Sequence, residues 1–231
     1  RYLANYDALT SLPNRSLLSE RLARAIVRAR REGGHVAVLF LDLDRFKDVN
    51  DSLGHATGDR VLRAAAERVQ HAVGPQHTVA RLGGDEFTVV LEGLAAPEEA
   101  EEVARRVIES FALPLALDEH HEITVSPSIG ISLFPDHAQV PTELLKHADT
   151  AMYQAKAAGR RTWQVYSARM DEATRRRATL AGLLRRVVER DELTLVYQPR
   201  YSLHHDRVVG AEALLRWRNP AFGAIPPDQF I

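Results

Sequence analysis

The chain has 231 residues, 45% of them apolar and 26% charged, with a formal net charge of -1 at pH 7. That length allows one large domain or two small ones with ample material for a core, and the near-neutral balance argues against a dedicated nucleic-acid or membrane surface. The lack of cysteine excludes disulfides and thiolate metal sites and fits a reducing, cytoplasmic setting.

No apolar run is long enough to span a bilayer, and the first residues do not form a signal peptide. The chain opens on Arg1 rather than Met, so it is expected to be a piece of something longer. Of its 30 basic residues only three, Lys47, Lys146 and Lys156, are lysines, so their placement carries information.

Asp7 to Arg15, DALTSLPNR, is a polar, turn-rich lead into a helix, with Pro13 setting the entry and Asn14 a candidate N-cap. Leu18, Leu22, Ile26 and Ala29 then recur at helical spacing, and Gly33-Gly34 stops the helix. Val36 to Leu43, VAVLFLDL, suits a central strand covered on both faces. Asp42 and Asp44 lie two apart and share a face, while Leu43 turns its side chain away and leaves its carbonyl available. Such a strand end can supply the one or two carboxylates that Mg²⁺ takes alongside phosphate oxygens and water. One of the acids serving only to cap the next helix is the plainer alternative.

Arg45 to Asp59, RFKDVNDSLGHATGD, mixes a phosphate-seeking Lys47 with Asn50, His55, Asp59 and two glycines. Too few of its residues can be buried without stranding polar groups, so it reads as a ligand loop. A carboxylate such as that of Asp59 accepts both N1 and N2 donors of guanine, and Asn50 can donate or accept. For His55 a solvated or capping role is the plainer reading. Val61 to Val73 follows as an amphipathic helix.

Thr78 to Leu91, TVARLGGDEFTVVL, has the composition of a hairpin with positive φ at Gly83 and Gly84. Asp85 and Glu86 directly follow the turn, and the glycines let an anionic ligand approach the backbone. Physically this is a place to hold a metal ion against a phosphate, or else an ordinary hairpin with solvated acids. Pro97 opens a helix whose early glutamates suit the macrodipole rather than a site. Ile123 to Phe134 alternates like a strand, with Pro127 suggesting a bulge or an edge.

Thr142 to Ala158 forms a helix closed by Gly159. Near its end Lys156 and Arg160 share a face and can reach one anion, although cations near any helix C-terminus are explained almost as well by the dipole. Thr162 to Tyr166 is a short closing strand. Met170 to Arg190 is a basic amphipathic helix best read as an interdomain connector. Leu193 to Pro199 and Val208 to Trp217 read as two strands, the second carrying Glu212.

Four motifs in this order, DALTSLPNR at Asp7, FLDLDRFKDVNDSLGHATGD from Phe40, RLGGDEF from Arg81 and ADTAMYQAKAAGR from Ala148, closely resemble the GGDEF family of diguanylate cyclases over about residues 6 to 166. The tail, with YQP at Tyr197 and GAEALLRWRNP from Gly210, resembles the opening of an EAL phosphodiesterase domain. The resemblance implies an α+β domain over 1–167 with a central, mostly antiparallel sheet flanked by helices, like nucleotidyl cyclases and polymerase palms. A linker helix over 168–190 and an incomplete (β/α)₈ barrel start over 191–231 would follow, since a closed barrel takes about 250 residues.

By that resemblance two GTP become cyclic di-GMP and two pyrophosphates. Asp42, the Leu43 carbonyl and Asp85 would hold two Mg²⁺ or Mn²⁺ ions, with Asp85 assisting deprotonation of the attacking 3′-hydroxyl and Glu86 beside it at the catalytic centre. Asn50, Asp59 and His55 would bind guanine. Lys47, Lys156, Arg160 and the amides around Arg45 and Phe46 would cradle the phosphates. In the tail, Glu212 resembles a metal ligand and Gln198 and Arg216 substrate contacts of an incomplete site.

One domain binds one GTP, so a homodimer is expected for catalysis, and an upstream sensory domain is expected in the full-length protein. The alternative is a catalytically silent GTP-binding module that controls an attached phosphodiesterase; a degenerate scaffold is disfavoured by the filled motifs. The sequence departs from the family where many members carry Arg-x-x-Asp before the Gly-Gly pair, having Gly74 and His77 there, so tight product inhibition through that surface is not expected.

Overall fold

The structure, a computed structural model, describes residues 4–118 and 121–230. Strand β1 (His35–Leu43) is the middle strand of a five-stranded sheet in the order β2-β3-β1-β6-β7. Its partners are β2 (Thr78–Gly83), β3 (Glu86–Leu94), β6 (Pro127–Phe134) and β7 (Trp163–Val165). The β2/β3, β3/β1 and β1/β6 pairs are antiparallel and only β6/β7 is parallel. The sheet is therefore mixed but mostly antiparallel, as expected.

The alternation along β1 explains how one apolar run serves two cores. Ala37, Leu39, Leu41 and Leu43 point to one side, where α3 (His55–Val73) and α4 (Glu98–Ser110) cover the sheet. Val36, Val38 and Phe40 point to the other, covered by α1 (Arg15–Glu32) and α5 (Pro141–Ala157). Because successive strand residues alternate faces, Asp42 continues the second set and lies on the side of α1 and α5. A small antiparallel pair, β4 (Leu115–Asp118) and β5 (His121–Ile123), stands apart from the main sheet.

Several local expectations hold. Asn14 caps α1 by accepting from the Ser16 and Leu17 amides at 3.0 and 3.2 Å. Helix α5 ends in a Schellman arrangement, with Arg160 N donating to the Ala155 carbonyl at 3.2 Å and Gly159 in positive φ.

Others are corrected. Arg45 to Asp59 is not a loop: Phe46–Leu53 is helix α2, Gly54 breaks it, and α3 begins at His55. Over this stretch the two helices bury only Phe46 and Gly58, one stripe of their surface, so polar composition did not exclude them. Pro127 begins β6 rather than marking an edge, and every residue of β6 is buried. The hairpin turn is shifted by one residue, with Gly83 paired to Glu86 and a bulge between Arg81 and Gly83, so Asp85 sits in the bend itself and Glu86 opens β3.

The chain divides between Met170 and Asp171 into two compact units. Helix α6 (Ala168–Leu184) stops short of the expected Arg190. In the second unit β8 (Leu193–Ser202), β9 (Arg207–Asn219) and β10 (Gly223–Ile225) form an antiparallel sheet, and Trp217, Ile225, Leu180 and Val187 make its small core. Val188, next in sequence to the buried Val187, is exposed.

Candidate active site

Asp42 is the penultimate residue of β1, with its side chain 12% exposed, and Lys156 of α5 places its Nζ 2.7 Å from Asp42 Oδ1. The lysine reaches it because α5 lies directly on β6: a Cβ added to Gly130 would stand 1.9 Å from the Ala148 carbonyl oxygen and 2.1 Å from the Met152 amide nitrogen. Only glycine permits that approach.

Across the ladder Asp42 pairs with Glu86, and the Leu43 amide donates to the Asp85 carbonyl at 3.3 Å, tying the hairpin bend to the end of β1. Burial lifts the Asp42 carboxyl above its ordinary range; the Lys156 hydrogen bond opposes this, and Asp85 and Asp44 add to it. Glu86 is lifted too, by burial first and then by Asp149, Asp42 and Asp85, with Arg15 opposing. Asp42, Asp85, Glu86 and Asp149 thus form one electrostatic neighbourhood with Lys156 among them.

Asp44 has a different job. Ser126 and Ser128 hydroxyls donate to its two oxygens at 2.8 and 2.7 Å, and the Arg161 amide donates at 3.2 Å. Arg160 Nε lies 4.0 Å away, and both arginines have positive φ, a cost that these contacts hold in place. Asp44 is a structural acceptor that fastens the end of α5 to β6.

Helix α2 starts at Arg45, whose positive φ of 57° turns the chain out of β1. Phe46 buries its ring in the core, while Lys47 is exposed in the first turn. Asn50 lies over the start of α3: a Cβ at Gly58 would be 2.0 Å from Asn50 Oδ1. His55 and Asp59 are exposed on the first turns of α3. Thus the acids and Lys156 are brought together in direct contact or electrostatic coupling, whereas the Asn50, His55 and Asp59 set is grouped by the α2–α3 junction.

Two residues without an expected role brace the bend. Arg81 donates from Nη2 and Nε to the Gly84 carbonyl at 2.6 and 3.1 Å and from Nη1 to both Asp7 oxygens at 3.0 Å. Burial alone would raise the Asp7 carboxyl, but hydrogen bonds from Thr10 and Arg81 outweigh it and hold it below its ordinary value. Asp149 was missed too, although its spacing of seven from Lys156 puts both on one face of α5.

Among the described residues no three His, Asp or Glu side chains form a ready metal cage. The donor set is nonetheless all hard oxygen, two carboxylates and a main-chain carbonyl, which fits an ion that completes its shell with phosphate oxygens and water.

A family model for the diguanylate cyclase GGDEF domain matches residues 4–162. The chain belongs to the GGDEF family. A second model, for the EAL domain, matches residues 181–231, so the GGDEF domain is followed by the start of an EAL domain. Among relatives, the bifunctional diguanylate cyclase/cyclic di-GMP phosphodiesterase MucR of Pseudomonas aeruginosa is 43% identical over 99% of this chain and 33% of its own length. The cyclic di-GMP phosphodiesterases NbdA of P. aeruginosa and PdeR of Escherichia coli are each 38% identical over 100% of this chain, and 29% and 34% of their own lengths. The chain therefore spans about a third of these relatives. The solved GGDEF domain of PA1120 (TpbB or YfiN) from P. aeruginosa superposes with a TM-score of 0.72 at 42% identity, covering 74% of this chain and 99% of that one. DgcB from Caulobacter crescentus, solved as coiled coil and GGDEF domain with cyclic di-GMP, gives 0.63 at 28% identity, covering 71% and 87%.

In the EAL portion Gln198 and Glu212 are cross-strand partners, and Arg216, opposite Thr194, follows Glu212 at an even spacing on the same face of β9. All three are exposed.

Proposed function

We propose that the GGDEF domain is a diguanylate cyclase that condenses two GTP into cyclic di-GMP with release of pyrophosphate. The observation that carries this reading is the meeting of Asp42, Asp85 and Glu86 at one end of the sheet beside Lys156. Asp42, the Leu43 carbonyl and Asp85 would hold Mg²⁺ or Mn²⁺, two per site. When bound, these ions offset the charge that develops on the α-phosphate and the leaving pyrophosphate.

The chain's own groups do the rest. Asp85 is assigned to accept the proton of the attacking 3′-hydroxyl, with Glu86 beside it. Lys47, Lys156, Arg160 and the amides at the start of α2 receive phosphate oxygens. Asn50 and Asp59 read the guanine edge, with His55 lining the same place. Each domain offers one GTP, so the 3′-hydroxyl of one must attack the α-phosphate of the other in an antiparallel homodimer.

We assign 1–167 to the cyclase, 168–190 to a connector and 191–231 to the EAL start, within a cytoplasmic part of a longer protein that carries a sensory domain upstream. Gln198, Glu212 and Arg216 are assigned to an EAL site that needs further chain. A second reading, a GTP-binding module that regulates a phosphodiesterase without turnover, is favoured by one observation: relatives named as phosphodiesterases align along this whole chain. Incubating the purified chain with GTP and Mg²⁺ and assaying for cyclic di-GMP separates the two. Product that disappears in Asp85→Ala supports the cyclase, and GTP binding without product supports the regulatory module.

A further inference from the structure

A lysine in direct contact with an expected metal ligand has a consequence for the order of binding. Lys156 Nζ sits 2.7 Å from Asp42 Oδ1, with side-chain exposures of 29% and 12%. We propose, building on the cyclase reading, that Lys156 is a stand-in cation: its ammonium and the divalent ion compete for the Asp42 carboxylate, so the nucleotide-free site is held closed to metal.

The geometry makes the competition steric as well as electrostatic. Mg²⁺ bonds carboxylate oxygen at about 2.0–2.1 Å, and an ammonium kept within hydrogen-bond reach of that oxygen would face it with like charge at short range. The ammonium is a compact, strongly hydrated charge on a flexible four-carbon stem, so it can leave while its helix stays. That helix is pinned: Gly130 lies against its backbone, and the Schellman turn and Asp44 fix its end.

One positive charge also serves several acids poorly. Lys156 contacts Asp42, while Glu86 stands opposite Asp42 across the ladder and Asp149 lies two turns back on the same face of α5. A divalent ion satisfies the acids better, and the displaced ammonium then needs an anion, which a triphosphate supplies. Metal and nucleotide therefore bind with positive coupling, and the coupling passes through Lys156.

Mn²⁺ binding to the nucleotide-free full chain, followed by the electron paramagnetic resonance of the free ion, tests this. Lys156→Met is expected to bind Mn²⁺ about tenfold tighter than wild type while binding GTP more weakly; Mn²⁺ binding no tighter than wild type overturns the proposal. The cyclase reading fails separately, if wild type binds GTP with Mg²⁺ but forms no cyclic di-GMP. A second measurement needs no variant. With only three lysines in the chain, amine labelling read by mass spectrometry should show Ca²⁺ or Mn²⁺ raising modification of Lys156 relative to Lys146, and an unchanged ratio counts against competition.

Discussion

Asp42 and Glu86 stand opposite each other on neighbouring central strands, two carboxylates in the same register on the same face. Like charges placed so destabilise a sheet by about 0.2–1 kcal/mol, and the fold keeps them. Glu86→Gln should therefore stabilise the metal-free protein by about that amount at pH 7.5. The folded Glu86 carboxyl is raised above its ordinary value, so its contribution to stability is full below the unfolded value and is lost as pH rises through the folded one. The gain from glutamine should accordingly vanish near pH 3, about one unit below the unfolded value, where the wild-type residue is protonated in both states. Urea denaturation at the two pH values checks this, and a variant less stable than wild type at pH 7.5 contradicts it.

Gly58 leaves room for Asn50. Its Cβ would displace the end of a side chain rather than backbone, so Gly58→Ala should keep the fold, changing stability by no more than about 1 kcal/mol. Its effect should fall on nucleotide binding, with GTP affinity lowered about tenfold through the loss of a hydrogen bond to guanine. Calorimetric titration with GTP and with ATP should show the preference between them shrinking.

At Gly130 the added Cβ meets helix backbone, which cannot swing aside. Gly130→Ala should cost about 3 kcal/mol or more, at the upper end for overpacking, and carry α5 with Lys156 away from Asp42. Urea midpoints measure it, and an unchanged midpoint would show that α5 does not depend on this close approach.

Much of this fold could be read from residue order because β1 is one unbroken apolar run and α1, α4 and α5 carry clear caps or periodic faces. Helix α2 and the first turns of α3 were hidden because polar residues dominate their exposed sides, and composition measures burial only where a whole segment is buried. The one-residue shift of the hairpin follows from a bulge at Arg81–Gly83, which no turn dipeptide announces. The contact of Lys156 with Asp42, the clamp of Arg81 on Gly84 and the use of Asp44 by Ser126 and Ser128 depend on register between elements far apart in the chain. Spacing can place such residues on a face, but it cannot say what the face meets.

Gly74 and His77 bear on regulation. Gly74 has a φ of 93°, where an arginine would be strained, and the His77 imidazole Nδ1 accepts the Glu92 amide at 3.3 Å. A cavity of about 710 Å³ remains beside them, lined in part by Arg21, Gln70 and His71. Calorimetry of the chain with cyclic di-GMP should find no submicromolar binding at this surface; such binding, abolished by substitutions at Arg21 and His71, would contradict the expectation.

The most direct test of the cyclase site is a double-mutant cycle on Mn²⁺ affinity in the presence of a non-hydrolysable GTP analogue, using Asp42→Asn, Asp85→Asn and the pair. If both carboxylates hold the same ions, each single change should remove most of the affinity and the pair little more. Losses that simply add, or a single change without effect, would show that the end of β1 and the hairpin bend do not share a cation.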